Sequence, residues 1–582
     1  MGALIRRRSW RALGFGVGVV VAACGEASLG GPPETTPDAS PPPTTSRAEA
    51  GAAPDAARTD PPDASPPPDA ATDAADAAVP CVPPEAPRPA DAARVAAAWQ
   101  RLEPKLTSAV VTGLAAGQSS YVLYDTQLQT ANLLLHAEYA RDVAQLEGLA
   151  RVYEPAFDAL APRTEAFFYY AVPVGGGEPV RESVWTLPTP TRMWTDAAPA
   201  GLSVGPESTL VSSQFLYAAS RLVRLTAEMP SPPAALTRFA AKALPVIVDD
   251  HYRRWIDKTP GLPGAFQVRG WGCNAGTFSH REHLQNLKTR SYGTSALPSP
   301  PATAAGYCNT MTDTDLWILS GTLEILAAHR RSPARVPLPA SVVAAFESYV
   351  ALGLTVVKGR IGTTTLASPA GPVQGMVFDP GGFDGHPDMN YVGYTDTSPA
   401  CRTCTAVGQC TCPEFPGWTT ATPSAPRLPP QPATGVAWDI SHARRLVSVF
   451  DSFRRHRAVI PTVAFTDAEA KAFARQVAFG VWNGDVVSPQ FTNFFDGRNG
   501  WYRVNYSSRS AFGYPPGSMT SSAPLCGYGF WAELEPALRP ALVAAFAKID
   551  VPPDTTDAQA LKVIQGLPES MPYRVEPNAC GF

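Results

Sequence analysis

The sequence lacks the features that mark nucleic-acid-binding and membrane-spanning proteins. Its formal net charge is −4 over 582 residues and no stretch is strongly basic, whereas a nucleic-acid surface needs a basic stripe. After residue 23 there is no uncharged apolar run of about eighteen residues, the length that a spanning helix needs. No phosphate-binding glycine loop or nucleophile elbow occurs in a fitting context. We therefore expect no nucleic-acid partner and no membrane span in the main part of the chain.

Aromatic side chains are absent from Gly16 to Ala98. This stretch is dominated by proline, alanine and aspartate, and Pro-Asp-Ala-Ser-Pro-Pro-Pro occurs at residues 37–43 and again at 62–68. Such a composition cannot bury enough apolar surface to offset the entropy of ordering the chain, and its prolines keep it extended. The sequence therefore predicts a disordered tether over residues 24–89 and one folded domain over residues 90–582.

The first residues have the pattern of an export signal. Four arginines between residues 6 and 11 precede an apolar run at residues 13–23, which is too short to span a bilayer. The run ends in Val-Ala-Ala-Cys at Cys24, which resembles the lipobox of bacterial lipoproteins. That resemblance implies a signal peptide at residues 1–23, a lipidated Cys24 and export to the cell envelope. Because Gly25 and not aspartate follows the cysteine, outer-membrane anchoring is expected, with the lipid as the only membrane contact.

The ten cysteines agree with an exported protein, because disulfides persist in oxidising compartments. Cys273 with Cys308, and Cys526 with Cys580, are candidate pairs, but sequence alone does not fix the connectivity. Four others form a short cluster: Cys401, Cys404, Cys410 and Cys412. Their spacing fits no zinc-ribbon template well, so disulfides are preferred to zinc. We expect no cofactor, although a structural zinc or calcium ion stays an alternative.

Apolar residues recur with helical spacing through most of the domain, and strand signals are few. The predicted strands are 167–172 and 373–378. The sequence Thr466-Asp-Ala-Glu469 has the spacing of a capping box, with a hydroxyl at the cap and a carboxylate three residues later. The predicted helices cover residues 91–117, 125–160, 208–228, 234–257, 313–329, 340–357, 439–457, 466–482 and 536–549.

Long polar and aromatic segments separate these helices, and such segments usually line functional sites. Aromatic rings stack on sugar faces, while amide, carboxylate and guanidinium groups bind sugar hydroxyls and carboxylates. The mixture favours a carbohydrate cleft. The four segments of this kind are 269–283, 378–391, 438–445 and 493–506.

Helical pairs joined by such segments resemble the (α/α) toroid enzymes that act on polysaccharides, especially polysaccharide lyases. The most suggestive piece is Trp438-Asp-Ile-Ser-His-Ala-Arg444, followed by an amphipathic helix. The resemblance implies a mainly α, toroid-like barrel and β-elimination from a uronate polymer, with one group neutralising the carboxylate, one base and one acid. The catalytic candidates are Asn390, Tyr391, His442 and Tyr506. The substrate-binding candidates are Trp271, Asn274, His280, His386, Arg444, Trp501 and Arg503.

Two other functions use the same segments. An inverting glycoside hydrolase needs two carboxylates, and candidates are Asp379, Asp384, Asp388, Asp439, Asp496 and Glu282. A glycan-binding surface lipoprotein without catalysis needs only the tether and the aromatic residues. The spacing of His280 and His283, with two residues between, does not fit a zinc peptidase. We expect a monomer that acts on an acidic polysaccharide.

Overall fold

The computed structural model describes residues 89–168, 184–198, 201–257, 266–267, 277–289, 311–380, 437–499, 517, 523–549 and 556–566. Within these ranges the protein is mainly helical with few short strands, as predicted. The predicted signal peptide, Cys24 and, except for Pro89, the predicted tether lie outside the described residues. So does every cysteine except Cys526, which is buried, and the predicted disulfide pairs therefore stay predictions.

The helices are numbered in chain order. They are α1 (Pro89–Ala115), α2 (Ser119–Ala140), α3 (Val143–Asp158), α4 (Thr209–Glu228), α5 (Ala234–Pro245), α6 (Arg253–Ile256), α7 (His280–Thr289), α8 (Asp313–Arg331), α9 (Ala340–Lys358), α10 (Ile440–Ala443), α11 (Arg445–Arg455), α12 (Asp467–Arg475), α13 (Leu538–Ala547) and α14 (Thr556–Gln565).

Helices α2, α4, α8 and α11 form an inner set in which each packs on the next. Helices α4 and α8 are buried on all sides for nearly their full length. Helices α1, α3, α5 and α9 pack outside this set and bury mainly one face, as amphipathic helices do. The protein therefore has an inner and an outer layer of helices.

The inner helices run in the same direction. Near their beginnings, Gln214 of α4 donates a hydrogen bond to Gln127 of α2 at 2.6 Å. Near their ends, Arg221 of α4 contacts Glu138 of α2 at 2.6 Å and Asp451 of α11 at 2.5 Å. We call the end at which these helices begin the starting end of the inner layer.

A network of charges is buried near the other end of the inner layer. Its carboxylates are Glu138, Glu324 and Asp451, and its buried cations are Arg221, Arg224 and Arg454. Arg455, which is partly buried, also contacts Glu138 and Asp451. Polar side chains on helices that are buried all round need such partners, because an unpaired charge in the interior is costly. The network therefore ties α2, α4, α8 and α11 together.

In the described ranges, three small sheets accompany the helices. Their strands are β1 (Ala161–Phe168), β2 (Val184–Met193), β3 (Pro206–Glu207), β4 (Phe266–Gln267), β5 (Thr277–Phe278), β6 (Ile361–Ser368) and β7 (Gly371–Phe378). In the first sheet β1 pairs antiparallel with β2 and parallel with β3. The strands β4 and β5 form an antiparallel pair, and β6 and β7 form a hairpin. The predicted strand at 373–378 is the second strand of this hairpin.

The boundaries of several predicted helices are wrong. The helix predicted at 125–160 is two helices, because Arg141 adopts the left-handed conformation (φ 53°) and ends α2. Asp142 then caps α3 by accepting the backbone N–H of Gln145 at 3.0 Å. His280 and His283, placed in a loop by the sequence, lie in the first turn of α7. The capping box of Thr466 and Glu469 is confirmed.

Two of the predicted helices contain π-helical turns. Such turns run from Val246 to Tyr252 after α5 and from Gln476 to Val481 after α12. They insert an extra residue into a helix and frequently occur beside functional sites. The second of them bears on the candidate site described below.

One described helix, α9, is long and apolar enough by composition to cross a membrane. It packs against α7 and α8, and its Tyr349 is completely buried and hydrogen-bonded to His280. These contacts hold one face of α9 against the other helices.

Candidate functional site

His442 lies at the starting end of the inner layer, in the short helix α10 that leads into α11. Asp439 caps α10 by accepting the backbone N–H groups of Ser441 and His442, both at 3.1 Å. Its second oxygen lies 2.7 Å from His442 Nδ1. A carboxylate can only accept a hydrogen bond, so Nδ1 carries the proton and donates it in this hydrogen bond, and the lone pair of the neutral ring is on Nε2. The His442 side chain is 9% exposed, and its contact with Asp439 fixes the rotation of the ring.

The segments predicted around residues 438–445 and 493–506 lie side by side in the part that is described. Ile440 donates its backbone N–H to the carbonyl of Asn493 at 2.9 Å, and Phe495 donates to the carbonyl of Trp438 at 2.8 Å. Asp439 and Phe494 form an isolated antiparallel bridge. Two segments that the sequence singled out separately thus form one backbone unit, and that unit carries His442.

The second π-helical turn supports this unit. Gln476, which is completely buried, donates its side-chain N–H to the carbonyl of Phe495 at 3.0 Å. A Cβ atom at Gly480 would lie 2.3 Å from the Gln476 amide nitrogen, and one at Gly375 would lie 2.7 Å from its oxygen. Both glycines therefore leave the space that the glutamine needs to reach Phe495.

Asp496 and Asn499 close the same unit. Asp496 accepts the backbone N–H groups of Ala437 at 3.2 Å and Arg498 at 3.0 Å. Burial raises the pKa of Asp496 above its ordinary value, although Arg498 opposes the shift. The side-chain oxygen of Asn499 accepts N–H groups from Asn493 at 3.2 Å and Gly517 at 2.8 Å. These residues hold the backbone in place with buried side-chain acceptors.

Arg445 joins the His442 turn to two inner helices. Its Nε lies 2.8 Å from a carboxylate oxygen of Asp313, in the first turn of α8. Its other nitrogens donate to the hydroxyl of Tyr124 in α2 at 3.3 Å and to the carbonyl of His442 at 3.4 Å. Arg445 is 1% exposed, so a buried cation contacts the backbone of the histidine.

A second histidine cluster occupies the other side of the first turn of α8. His280 Nε2 lies 2.6 Å from Asp315, and its Nδ1 lies 2.5 Å from the hydroxyl of Tyr349. His283 Nε2 approaches the same oxygen of Asp315 at 3.6 Å. Burial alone would raise the pKa of Asp315, but His283 and His280 bring it below the ordinary value. His280 has no exposed surface, so its side chain is a part of the core here.

Asp315 also fixes the beginning of α8. Its second oxygen accepts the backbone N–H of Thr312 at 2.6 Å in a capping box. Asp313 pairs with Arg445, which contacts the carbonyl of His442, and Asp315 contacts His280 and His283. Both aspartates lie in the first turn of α8. Arg444, the third described candidate, lies between α10 and α11 and is 7% exposed.

The remaining candidates lie outside the described residues. They are Trp271, Asn274, His386, Asn390, Tyr391, Trp501, Arg503 and Tyr506. The described residues that flank these segments nevertheless lie at the starting end of the inner layer. The carbonyl of Pro380 accepts the N–H of Met311 at 2.6 Å, next to the first turn of α8. The chain then returns at Ala437, beside Asp496, and it leaves again at Asn499.

No pattern in the sequence marks Tyr124, Asp313, Asp315, Tyr349 or Gln476 as residues of this site. Asp315 follows Thr312 at capping-box spacing, so its pattern predicts only a helix start. The others come from parts of the chain that are distant in sequence, and only the packing of the helices brings them together.

No group of three or more His, Cys, Asp or Glu side chains is arranged to hold a metal ion among the residues that the structure describes. In the His280 cluster the nitrogen and oxygen atoms face one another at hydrogen-bonding distance. The cysteine cluster at 401–412 lies outside the described ranges.

Comparison with known proteins gives no relative. No family model, no curated protein and no solved structure matches this chain.

Proposed function

We propose that this protein is a lipid-anchored enzyme of the cell envelope that cleaves an acidic, uronate-containing polysaccharide by β-elimination. The observation that carries the proposal is the Asp439–His442 pair, at 2.7 Å, at the starting end of the inner layer. The lipobox at Cys24 and the tether that follows it support export and anchoring at the outer membrane. The two layers of helices support a toroid-like barrel, because parallel inner helices must be connected through outer ones.

The proposed reaction starts with proton removal. His442 Nε2 takes the proton from the carbon next to the uronate carboxylate, and Asp439 stabilises the imidazolium that forms. The electron pair of that C–H bond becomes the C4–C5 double bond. The bond between C4 and the glycosidic oxygen breaks, and a tyrosine hydroxyl donates a proton to the leaving oxygen. One product chain thereby ends in an unsaturated uronate and the other in a hydroxyl group, and water is not a reactant.

The other roles follow from the residue types. Asn390 is proposed to bind the uronate carboxylate, and Tyr391 or Tyr506 to donate the proton. The sugar-binding residues are proposed to be Trp271, Asn274, His386, Arg444, Trp501 and Arg503. His280 is completely buried. We therefore propose that it supports the beginning of α8 and does not contact the sugar.

One observation favours hydrolysis as a second candidate. Burial raises the pKa of Asp496 above its ordinary value, which is the direction of shift that favours a general acid. Asp439 would then be the second carboxylate. This candidate is weaker, because both aspartates already accept backbone N–H groups.

The full-length chain, solubilised in mild detergent, should be tested on a panel of polymers. Polygalacturonate, alginate, glucuronan and hyaluronan are the uronate polymers, and xylan and pullulan are neutral controls. The ultraviolet absorbance of unsaturated uronate and the reducing ends should be followed in parallel. β-Elimination predicts that both rise together on a uronate polymer. Reducing ends without absorbance would instead establish hydrolysis, and binding without either signal would establish a glycan-binding protein.

A further inference from the structure

Arg445 is the point at which three parts of the chain meet at the candidate site. Its guanidinium group contacts Asp313 in α8, Tyr124 in α2 and the backbone carbonyl of His442 in α10. These contacts point in different directions, which a planar guanidinium with several donors can satisfy and a lysine ammonium cannot. Since Arg445 is 1% exposed, the contacts are made in the protein interior.

The ion pair with Asp313 adds a charge interaction to the two hydrogen bonds of Arg445. The Nε–Oδ2 distance is 2.8 Å, and the Asp313 side chain is 14% exposed. Loss of either partner would leave a charge that is buried and uncompensated. The position of Asp313 is itself fixed, because the same turn contains the capping box of Thr312 and Asp315.

A continuous set of contacts therefore runs from the core to His442. It starts at His280, which holds Asp315, continues through the first turn of α8 to Asp313, and reaches the His442 carbonyl through Arg445. Asp439 fixes the rotation of the His442 ring, whereas Arg445 fixes the backbone that carries the ring.

We propose that Arg445 is a positioning residue, which sets the location of the His442 imidazole relative to the inner helices without contacting substrate. The expected effect of Arg445 on turnover rests on the proposed function. Its expected effect on the position of His442 is independent of that function, because the position of an imidazole can be measured without substrate.

The test uses Arg445→Lys and Arg445→Met in the full-length chain, with Arg335→Lys as the matched control. Arg335 donates to the backbone carbonyls of Ala227 and Pro230, at 3.2 Å and 2.9 Å, on other elements. The first readout is the rate at which diethyl pyrocarbonate modifies His442, resolved by peptide mass spectrometry, with His329 as the internal reference. The second is the melting temperature.

We expect Arg445→Lys to melt near the wild-type temperature, because lysine keeps the charge opposite Asp313, while its His442 modification rate changes several-fold. The rate at His329 should stay the same, and Arg335→Lys should change neither rate. A purely structural role predicts that the melting temperature falls and the His442 rate stays the same. Unchanged modification of His442 in both Arg445 variants would overturn the proposal.

Turnover gives a separate result. On a uronate polymer that the wild type cleaves, Arg445→Lys should lower kcat by roughly 100-fold with little change in KM, since small misplacements of a catalytic group cost about that factor. Unchanged kcat would contradict the positioning role. Absence of cleavage by the wild type would contradict the proposed function, and the modification rates would still decide the role of Arg445.

Discussion

Replacement of Arg221 by methionine should strongly destabilise the protein. Arg221 is completely buried and contacts Glu138 at 2.6 Å, Asp451 at 2.5 Å and the hydroxyl of Tyr217 at 2.9 Å. Methionine fills much of the same volume but leaves two carboxylates without this cation. Breaking a buried ion pair by removing one partner costs about 3–5 kcal/mol. This is a large part of the roughly 5–15 kcal/mol by which domains are stable.

This loss in the free energy of unfolding can be converted into a change in melting temperature. The entropy of unfolding is about 2 cal/mol/K per residue, which gives roughly 1 kcal/mol/K for a domain of this size. A loss of about 3–5 kcal/mol therefore lowers the melting temperature by about 3–5 °C. Urea unfolding should show the same loss as a lower midpoint with an unchanged slope.

The matched control is Arg238→Met. Arg238 pairs with Glu154 at 3.0 Å on the surface, and its side chain is 59% exposed. Exposed pairs contribute little to stability because solvent screens them, so the melting temperature should stay close to that of the wild type. If Arg221→Met were as stable as Arg238→Met, the view that the buried network holds the inner helices together would be refuted.

Two further predictions concern stability. His136 and His251 are buried, and burial lowers the pKa of each to about 3. In the unfolded chain these histidines bind protons near pH 6.5, so the stability of the folded protein should fall as the pH drops from about 6.5 towards 3. Urea midpoints measured against pH would show this fall. A midpoint that is constant over this range would contradict the pKa shifts. Gly480→Ala should destabilise by about 1–3 kcal/mol through overpacking against Gln476, whereas Gly362→Ala, whose Cβ would meet only a carbonyl oxygen at 4.0 Å, should have little effect in the same urea assay. Equal losses in the two variants would be evidence against the close contact at Gly480.

The helical part of the fold could be predicted because it depends on local spacing. Leu316, Leu319, Leu323 and Leu326 recur with helical periodicity, and they are buried in α8. The break between α2 and α3 could not be predicted in this way, because it rests on the conformation of Arg141 at one position. The strand β6 was missed since only its pairing with β7 distinguishes it from an exposed loop.

The candidate site could be predicted only in part. The segment around His442 was found because an aspartate, a serine and a histidine before an amphipathic helix form a distinctive group. The partners of that segment were not found, because Tyr124 and Asp313, which contact Arg445, are distant from it in sequence. The role of Gln476 depends on a π-helical turn and two glycines, and no local pattern indicates it.

The central claim is that His442 is the base of an eliminative reaction. It is tested most directly by the initial rate of ultraviolet absorbance on the best uronate polymer for His442→Ala and for the control His329→Ala. His329 is a partly buried histidine whose Nδ1 lies 2.8 Å from the carbonyl of Val336, at the far end of α8. We predict a loss of about 10²–10⁴-fold for His442→Ala, the range for a general base, and a nearly unchanged rate for His329→Ala. A His442→Ala protein that is folded and cleaves the polymer at the wild-type rate would contradict the account.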